Sequence, residues 1–276
     1  MRSRVFLFAA LSLLLCASGA FAQNSLSTSG LTGAAVSTPE GGSCGDVVMN
    51  HSTSNDIAPG NSVSCNSSMA PPFGHADNFY YRAYNPADFG VMGDFAVCEV
   101  VVGVESATGG ADTTQPITVN IYSGTGFPAG FVPGTGGMGF TAIGTMGVTI
   151  NDADGLTLVT VPITGTVPMG EELIIEVFTP DGQADGTFFF MGSNALGQAD
   201  DSFLAADTCG ISAPDTTASI GFPQMQIVLF ASGDEQVDTG LPETIYDPAI
   251  PTLDWVGLLA LVSLLGVAGF FLLRRR

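Results

Sequence analysis

Short runs in which apolar and polar residues alternate recur along the middle of the chain. In residues 117–122 the odd positions are Ile, Val and Ile and the even positions are Thr, Asn and Tyr, so each set lies on one face of an extended segment. Residues 172–178 have the same period. With Gly, Pro, Asn or Asp at their ends, such runs predict eight strands: Asn78–Tyr84, Phe95–Glu105, Ile117–Tyr122, Phe140–Ile150, Leu156–Ile163, Glu172–Phe178, Thr187–Met191 and Gln224–Phe230.

The number and spacing of these strands predict an all-β domain. We expect residues 40–233 to form a jelly-roll-like two-sheet β-sandwich, with a closed barrel as the alternative. The chain has 36 Gly and 16 Pro for tight turns, and 46% hydrophobic residues for a packed core. We find no internal repeat of fixed period, which argues against a propeller or a solenoid.

The first 22 residues have the layout of a cleavable signal peptide. Two arginines precede an apolar run at 5–15, and small residues follow it. Cleavage is predicted after Ala22, with Ala20 and Ala22 as the small residues of the site and Gln23 as the first exported residue. A lipid-modified Cys16 is the alternative, but a leucine stands directly before it, where such a site normally has a small residue.

The C-terminal run Trp255–Leu273 carries no charge and predicts a transmembrane helix. At about 1.5 Å per residue it would extend about 28 Å, close to the hydrocarbon thickness of a bilayer. Trp255 suits one interface, and Arg274-Arg275-Arg276 suits the cytoplasmic side of the other. The predicted topology therefore places the domain outside the cytoplasm. A buried core helix fits less well, because the run has no polar face.

Several features follow one another at the end of the chain: the tetrapeptide Ile250-Pro251-Thr252-Leu253, then Gly257, the apolar span and the arginine cluster. Together they resemble the IPTL-type C-terminal protein-sorting signal of Gram-negative bacteria. That signal usually has Trp directly before the glycine. In this chain Val256 occupies that position, and Trp255 lies one residue earlier. The resemblance implies that a membrane-embedded exosortase recognises the tail, cleaves near the motif and leaves the protein anchored, transferred or released.

Polar stretches flank the predicted domain. Residues 23–39 are rich in Ser, Thr and Gly and predict a flexible leader, and residues 234–249 predict an acidic linker. Within the linker, Leu241-Pro242-Glu243-Thr244-Ile245 resembles the pentapeptide that Gram-positive sortases recognise, but isoleucine stands in place of its final glycine. We interpret it as a chance match. The domain body, including 77–82 and 220–223, resembles β-sandwich domains of bacterial surface proteins that occur with a choice of anchoring tails.

The exported part of the chain is strongly acidic. Between residues 23 and 249 there are 25 acidic residues and one basic residue, Arg82, a formal charge of −24. Such a surface repels nucleic acid and anionic lipid. We interpret the charge as an adaptation for solubility rather than for cation storage. Arg82, among several tyrosines, is expected to pair with a carboxylate and stack on a ring, with sugar or carboxylate binding as the alternative.

Four cysteines remain after removal of the signal peptide, which in an exported chain predicts two disulfides in one of three pairings. They are Cys44, Cys65, Cys98 and Cys209. Cys44 and Cys65 flank a stretch rich in Ser, Asn and Gly, so we favour a local bridge between them, which leaves Cys98 for Cys209. A zinc site is the alternative, although no pair has Cys-x-x-Cys spacing.

The loop Asn151–Gly155 carries Asp152 and Asp154 and offers a calcium candidate, but the full calcium-loop pattern fails, and Asp and Gly also suit a hairpin turn. No cofactor is otherwise predicted. The leading hypothesis is a non-catalytic surface or matrix protein. A carbohydrate-binding module would use exposed aromatic side chains, with Phe73, Phe79 and Tyr81 as candidates. A secreted hydrolase would need His51 or His75 as its base, and no Gly-x-Ser-x-Gly motif accompanies them.

Overall fold

A computed structural model describes residues 24–36, 44–67 and 71–236. The predicted signal peptide with its cleavage site at Ala20, Ala22 and Gln23 lies outside the described residues. So do residues 237–276, which contain most of the predicted linker, the tetrapeptide 250–253, Trp255, Gly257 and the three arginines. No helix in the described ranges is long and apolar enough to cross a membrane.

The described chain is built from strands and three short 3-10 helices, Pro86–Phe89, Asp152–Asp154 and Asp207–Cys209. The first strands along the chain are β1 (Ser25–Thr28), β2 (Val47–Met49), β3 (Val63–Ser67), β4 (Gly74–His75), β5 (Asn78–Tyr84), β6 (Asp94–Thr108), β7 (Thr114–Gly124) and β8 (Phe140–Asn151). The remaining strands are β9 (Thr157–Val161), β10 (Gly165–Val167), β11 (Glu172–Thr179), β12 (Phe188–Met191), β13 (Ser193–Asn194), β14 (Phe203–Ala206), β15 (Ile211–Thr216), β16 (Gln226–Ile227) and β17 (Leu229–Gln236).

Two six-stranded antiparallel sheets form the body of the fold. The front sheet has the strand order β15-β14-β5-β11-β7-β8. The back sheet has the order β10-β6-β17-β2, with β9 and β12 also paired to β6, which at 15 residues is long enough to hold several partners. A smaller three-stranded sheet has the order β1-β3-β4, and β13 pairs with β16.

The main core lies among inward-facing side chains of both sheets. Because side chains alternate across a strand, every second residue of these runs belongs to this core. Burying one such side chain stabilises the fold by about 1.5–3 kcal/mol. Two antiparallel sheets that share one core are consistent with the predicted sandwich. Among the contributors are Val100, Val102 and Val104 from β6, Ile117, Val119 and Ile121 from β7, and Leu173, Ile175 and Val177 from β11.

The eight predicted strands are confirmed as extended segments, with differences at their ends. β5 has the predicted bounds. β9 begins one residue later than predicted, because Leu156 has a φ of 58°, in the left-handed region. The predicted strand 224–230 is divided at Val228, whose N–H donates to Gly192 O (2.9 Å) while its carbonyl accepts from Gly103 N (2.8 Å).

Part of the predicted leader is extended structure. Residues 25–28 form β1, which pairs along β3. The carboxylate of Glu105, fully buried, accepts hydrogen bonds from the hydroxyl of Ser29 and from the N–H groups of Gly60 (3.1 Å) and Ser62 (2.8 Å). Burial raises the pKa of Glu105. The partners of residues 25–29 lie far along the chain. The local sequence, rich in Ser and Thr, therefore did not predict this strand.

The two disulfides join Cys44 to Cys98 and Cys65 to Cys209, with Cα–Cα distances of 6.0 and 5.9 Å. The favoured local pairing of Cys44 with Cys65 was therefore wrong. Cys44 lies beside the back sheet, where Asp46 N–H donates to Asp234 Oδ1 (3.0 Å). Cys65 belongs to β3 in a different sheet. Cys44 and Cys65 are close in sequence, but the segment between them connects two separate sheets, so they do not meet.

We expect peptide mapping of the non-reduced protein to yield cross-linked peptides for Cys44–Cys98 and Cys65–Cys209. Replacing Cys65 and Cys209 by serine should lower the free energy of unfolding by about 2–5 kcal/mol, because the bridge closes the longer loop, with a sequence separation of 144. Urea denaturation measures the change. The serine pair at Cys44 and Cys98, with a separation of 54, is the matched control and should cost less. A peptide joining Cys44 to Cys65 would contradict the assignment.

Candidate functional site

The outer face of the front sheet gathers polar and aromatic side chains from several of its strands. One row across this face runs from Tyr81 on β5 through Glu176 on β11 and Asn120 on β7 to Thr145 on β8, each opposite the next in register. The central position of β11 brings these residues together, although they are far apart in sequence. We call this surface the outer face.

A buried carboxylate lies at the centre of this row. Glu176 is fully buried and accepts hydrogen bonds from Asn120 Nδ2 (2.8 Å), Tyr122 Oη (3.2 Å) and Gly134 N (2.8 Å). A buried charge is costly unless such donors satisfy it. Burial raises the pKa of Tyr81 and of Tyr122 well above the usual value for tyrosine, and the negative charge of Glu176 adds to this effect. Both hydroxyls therefore stay protonated.

The connection between β7 and β8, residues 125–139, packs over one part of the outer face. Phe131 meets the rings of Tyr81 and Tyr122 at centroid distances of 5.5 and 5.1 Å in edge-to-face geometry. Phe127 packs against Phe203 at 5.0 Å. These aromatic contacts and the hydrogen bond from Gly134 N to Glu176 hold the loop against the sheet. The loop divides the outer face into a covered part and an open part.

The open part presents a pair of stacked aromatic rings. Phe79 and Phe178 lie opposite each other on β5 and β11, with centroids 4.5 Å apart and ring planes 20° apart, and both are half-buried. Beside them Thr145 Oγ1 donates to Asn120 Oδ1 (2.6 Å). An accessible aromatic surface next to amide and hydroxyl groups suits a ligand with apolar faces and polar edges, such as a sugar.

The structure separates the three aromatic residues that the sequence nominates for sugar binding. Phe79 lies in the open part, Tyr81 is fully buried under the loop, and Phe73 is 46% exposed in the segment before β4. Phe178 was missed. The period of two in β11 places Phe178 on the same face as Ile174. The sequence does not show which strands lie next to β11 on that face.

A second feature is a polar pocket of about 270 Å³ with an acidic rim that includes Asp112, Asp181 and Asp185. His75 forms part of its wall and is almost fully buried. Its Nδ1 lies 3.0 Å from Ala76 O, and its Nε2 lies 3.2 Å from Gln115 Oε1 and 3.4 Å from Thr187 Oγ1. Burial lowers the pKa of His75.

The other residue nominated as a catalytic base, His51, lies in a different environment. Its ring stacks on Tyr84 at 4.7 Å and tilts against Phe89 at 5.4 Å. Its Nε2 is 4.0 Å from Asp200 Oδ2. Burial lowers the pKa of His51, although the charge of Asp200 opposes the effect. These contacts pack the ring into the structure, and its edge faces a carboxylate rather than a nucleophile.

Arg82 is fully buried and is held by carbonyl groups. Its Nε and Nη2 donate to Ile227 O (3.0 and 2.7 Å), and its Nη1 donates to Asp200 O (2.6 Å). The expected carboxylate pairing was wrong: among the described residues no ion pair joins Arg82 to an acidic side chain, and Arg82 contacts the main-chain carbonyl of Asp200 instead. The carboxylate of Asp200 is 64% exposed and lies beside His51. Arg82 thus ties β5 to the segments around 200 and 227.

The calcium candidates Asp152 and Asp154 accept hydrogen bonds from nearby backbone N–H groups. Asp154 Oδ2 accepts from Asn151 N (2.7 Å), and Asp152 Oδ1 accepts from Gly109 N (2.6 Å). These bonds close the turn after β8 and connect it to the end of β6. Within the described ranges, no three His, Cys, Asp or Glu side chains come together in a group that could hold a metal ion.

The buried histidines predict a stability that depends on pH. An unfolded histidine protonates below about pH 6.5, whereas folded His75 resists protonation, so the free energy of unfolding falls as the pH drops through that value. Compared with the wild type, His75→Gln should lose less stability between about pH 7.5 and about pH 5.5. Urea denaturation at both pH values checks this, with an Asp112→Asn variant as the rim control. Equal losses in His75→Gln and the wild type would refute it.

Comparison of the chain with models of protein families, with curated proteins and with solved structures finds no match. The function is therefore inferred from the residues and contacts described above.

Proposed function

We propose that this chain is an exported, non-catalytic surface or extracellular protein whose domain serves in interaction or structure. The observation that carries the proposal is the pair of long-range disulfides, which are consistent with an oxidising, extracytoplasmic location. The structural contacts of both histidines and of Arg82 support a non-catalytic role. The chain crosses several times between the front and back sheets, as from β5 to β6 to β7 and from β10 to β11 to β12, and this supports the jelly-roll topology.

The proposal includes anchoring through the C-terminal tail. The uncharged run 255–273 has the length of a membrane span, and the arginines at its end favour a cytoplasmic C-terminus. The tetrapeptide 250–253 resembles the IPTL-type sorting signal, so an exosortase-type enzyme is the proposed processing partner. The strongly negative charge of the exported part supports a soluble domain that faces the medium rather than nucleic acid.

Mass spectrometry of the mature C-terminus tests the sorting step. In cells that contain the exosortase we expect a chain that ends near residues 250–253, and in cells that lack it a chain that ends at Arg276. Pro251→Ala should block processing because it alters the tetrapeptide. Pro242→Ala, in the rival pentapeptide, is the matched control and should leave processing unchanged. An intact Arg276 in both kinds of cell would contradict sorting and leave only the anchor.

A second candidate function is carbohydrate binding on the open part of the outer face, and calcium could assist it. The stacked rings of Phe79 and Phe178 favour this function, since such rings can pack against the apolar faces of sugars. Asn120 and Thr145 lie in the adjacent row and would supply hydrogen bonds. A glycan or surface-matrix partner is therefore proposed for this surface.

Glycan-array binding by the full-length chain, with and without a chelator, tests the second function. Phe178→Ala should weaken the binding of a recognised sugar about tenfold, or about 1.4 kcal/mol, because one ring of the platform is lost. Phe73→Ala removes a ring that is exposed outside the stacked pair and is the matched control. No binding to any sugar, or equal losses in both variants, would rule this function out. Loss of binding in the chelator would add a cation to the site.

A further inference from the structure

Strand β8 differs from the other strands that end the two large sheets. β15 contains Pro214 and Asp215. The strands that end the back sheet are short: β2 and β10 have three residues each, β12 has four and β9 has five. A proline, a charge or a short length protects a sheet edge against pairing with another chain. β8 has 12 residues and contains neither a proline nor a charged side chain. Its edge is thus the one long unprotected edge among these six strands.

The hydrogen bonds of β8 show which backbone groups point away from the sheet. Asp152 N–H, just after the strand, donates to Thr113 O (3.0 Å), so the even-numbered residues direct their backbone groups towards β7. Pro116 agrees with this alternation, because it lies opposite Thr149 and has no N–H to donate. The outward N–H and C=O groups therefore belong to Thr145, Gly147 and Thr149.

The sequence around Gly147 is nearly the same in both directions. Residues 145–149 read Thr-Met-Gly-Val-Thr. If two copies of β8 lie antiparallel about a two-fold axis at Gly147, Thr145 faces Thr149 of the other copy and Met146 faces Val148. Both are favourable cross-strand pairs, since threonines and apolar side chains lie opposite their own kind. A two-fold contact uses the same surface on both copies.

The fold itself does not require glycine at position 147. A Cβ atom added there would meet no heavy atom of residues 24–36, 44–67 or 71–236 within 4 Å. Glycine inside a strand weakens it and often marks a place where another backbone approaches closely. In contrast, a Cβ atom added at Gly144 would lie 2.7 Å from Thr164 O. Among the described residues, the accessible part of the edge is thus confined to 145–149.

The side chains next to Gly147 leave apolar surface uncovered. Met146 and Val148 lie opposite the core residues Val119 and Ile117, yet Met146 is 37% exposed and Val148 half-buried. Another strand along this edge would cover both side chains.

Charge favours contact at this edge over other surfaces of so acidic a protein. In the two-fold arrangement the two copies of Asp152 would lie ten residues apart along the strand direction, or about 33 Å at about 3.3 Å per residue. That separation exceeds the screening length of about 8–10 Å in physiological salt. No charged side chain of β8 itself therefore opposes contact between two copies, each with a formal net charge of −20.

We propose that β8 is a self-association edge. It pairs antiparallel with β8 of a second copy of this chain about a two-fold axis at Gly147, and joins the two front sheets into one. Anchoring both copies in one membrane would raise their effective concentration and favour this short contact.

Cysteine cross-linking in the full-length chain, produced in cells that lack the exosortase, tests the proposal. Opposed residues of a hydrogen-bonded antiparallel pair have Cα atoms about 5.5 Å apart, within the range of a disulfide. Under mild oxidation Gly147→Cys should form a covalent dimer, seen as a doubling of apparent mass on a non-reducing gel. Ala213→Cys, exposed on the protected edge strand β15, is the matched control and should remain monomeric.

Two further variants test the register. Thr145→Cys and Thr149→Cys should cross-link when they are expressed together, and neither should cross-link when expressed alone, because only the mixed pair is opposed across the axis. The native disulfides, checked by peptide mapping, confirm that each variant is folded. A folded Gly147→Cys that stays monomeric would overturn the proposal. So would cross-linking as strong from Ala213→Cys, or a product whose mass identifies a different protein.

Discussion

Strand β11 is paired on both sides, and its register decides which side chains meet on each face of the front sheet. Its inward residues, Leu173, Ile175 and Val177, complete the main core. Its outward residues, Ile174, Glu176 and Phe178, organise the opposite face. Because the side chains alternate, a shift of one residue would exchange the two sets and place Glu176 in the hydrophobic core. The core and the outer face therefore depend on the same pairing.

The buried carboxylate of Glu176 then constrains the loop 125–139. The charge needs hydrogen-bond donors, and Gly134 N supplies one of them from the loop. The donors make burial of Glu176 tolerable, and the aromatic rings around Phe131 exclude water from the same place. This arrangement covers part of the outer face and leaves Phe79 and Phe178 accessible. The shape of the candidate site thus follows from satisfying one buried charge.

Buried polar groups also join distant segments elsewhere. Arg82 holds the carbonyls of Asp200 and Ile227, and Glu105 holds the amides of Gly60 and Ser62. Cys65 and Cys209 add a covalent link across the described chain. In a domain with so large a negative charge, these specific links oppose the mutual repulsion of its acidic residues.

The sequence by itself determined the strands, because alternation with a period of two is a local property that a strand must have to bury one face. It also determined the acidic composition, the positions of the cysteines and the apolar and charged runs at the two ends. Only the tertiary structure decided that Cys44 meets Cys98, that residues 25–28 join a sheet, that Arg82 binds carbonyls and that Phe178 pairs with Phe79. Each of these depends on which strands are neighbours, and that choice is made by contacts between residues far apart in the chain. The free edge of β8 shows both contributions, since the Thr-Met-Gly-Val-Thr pattern is in the sequence, but the position of the strand at the end of a sheet is not.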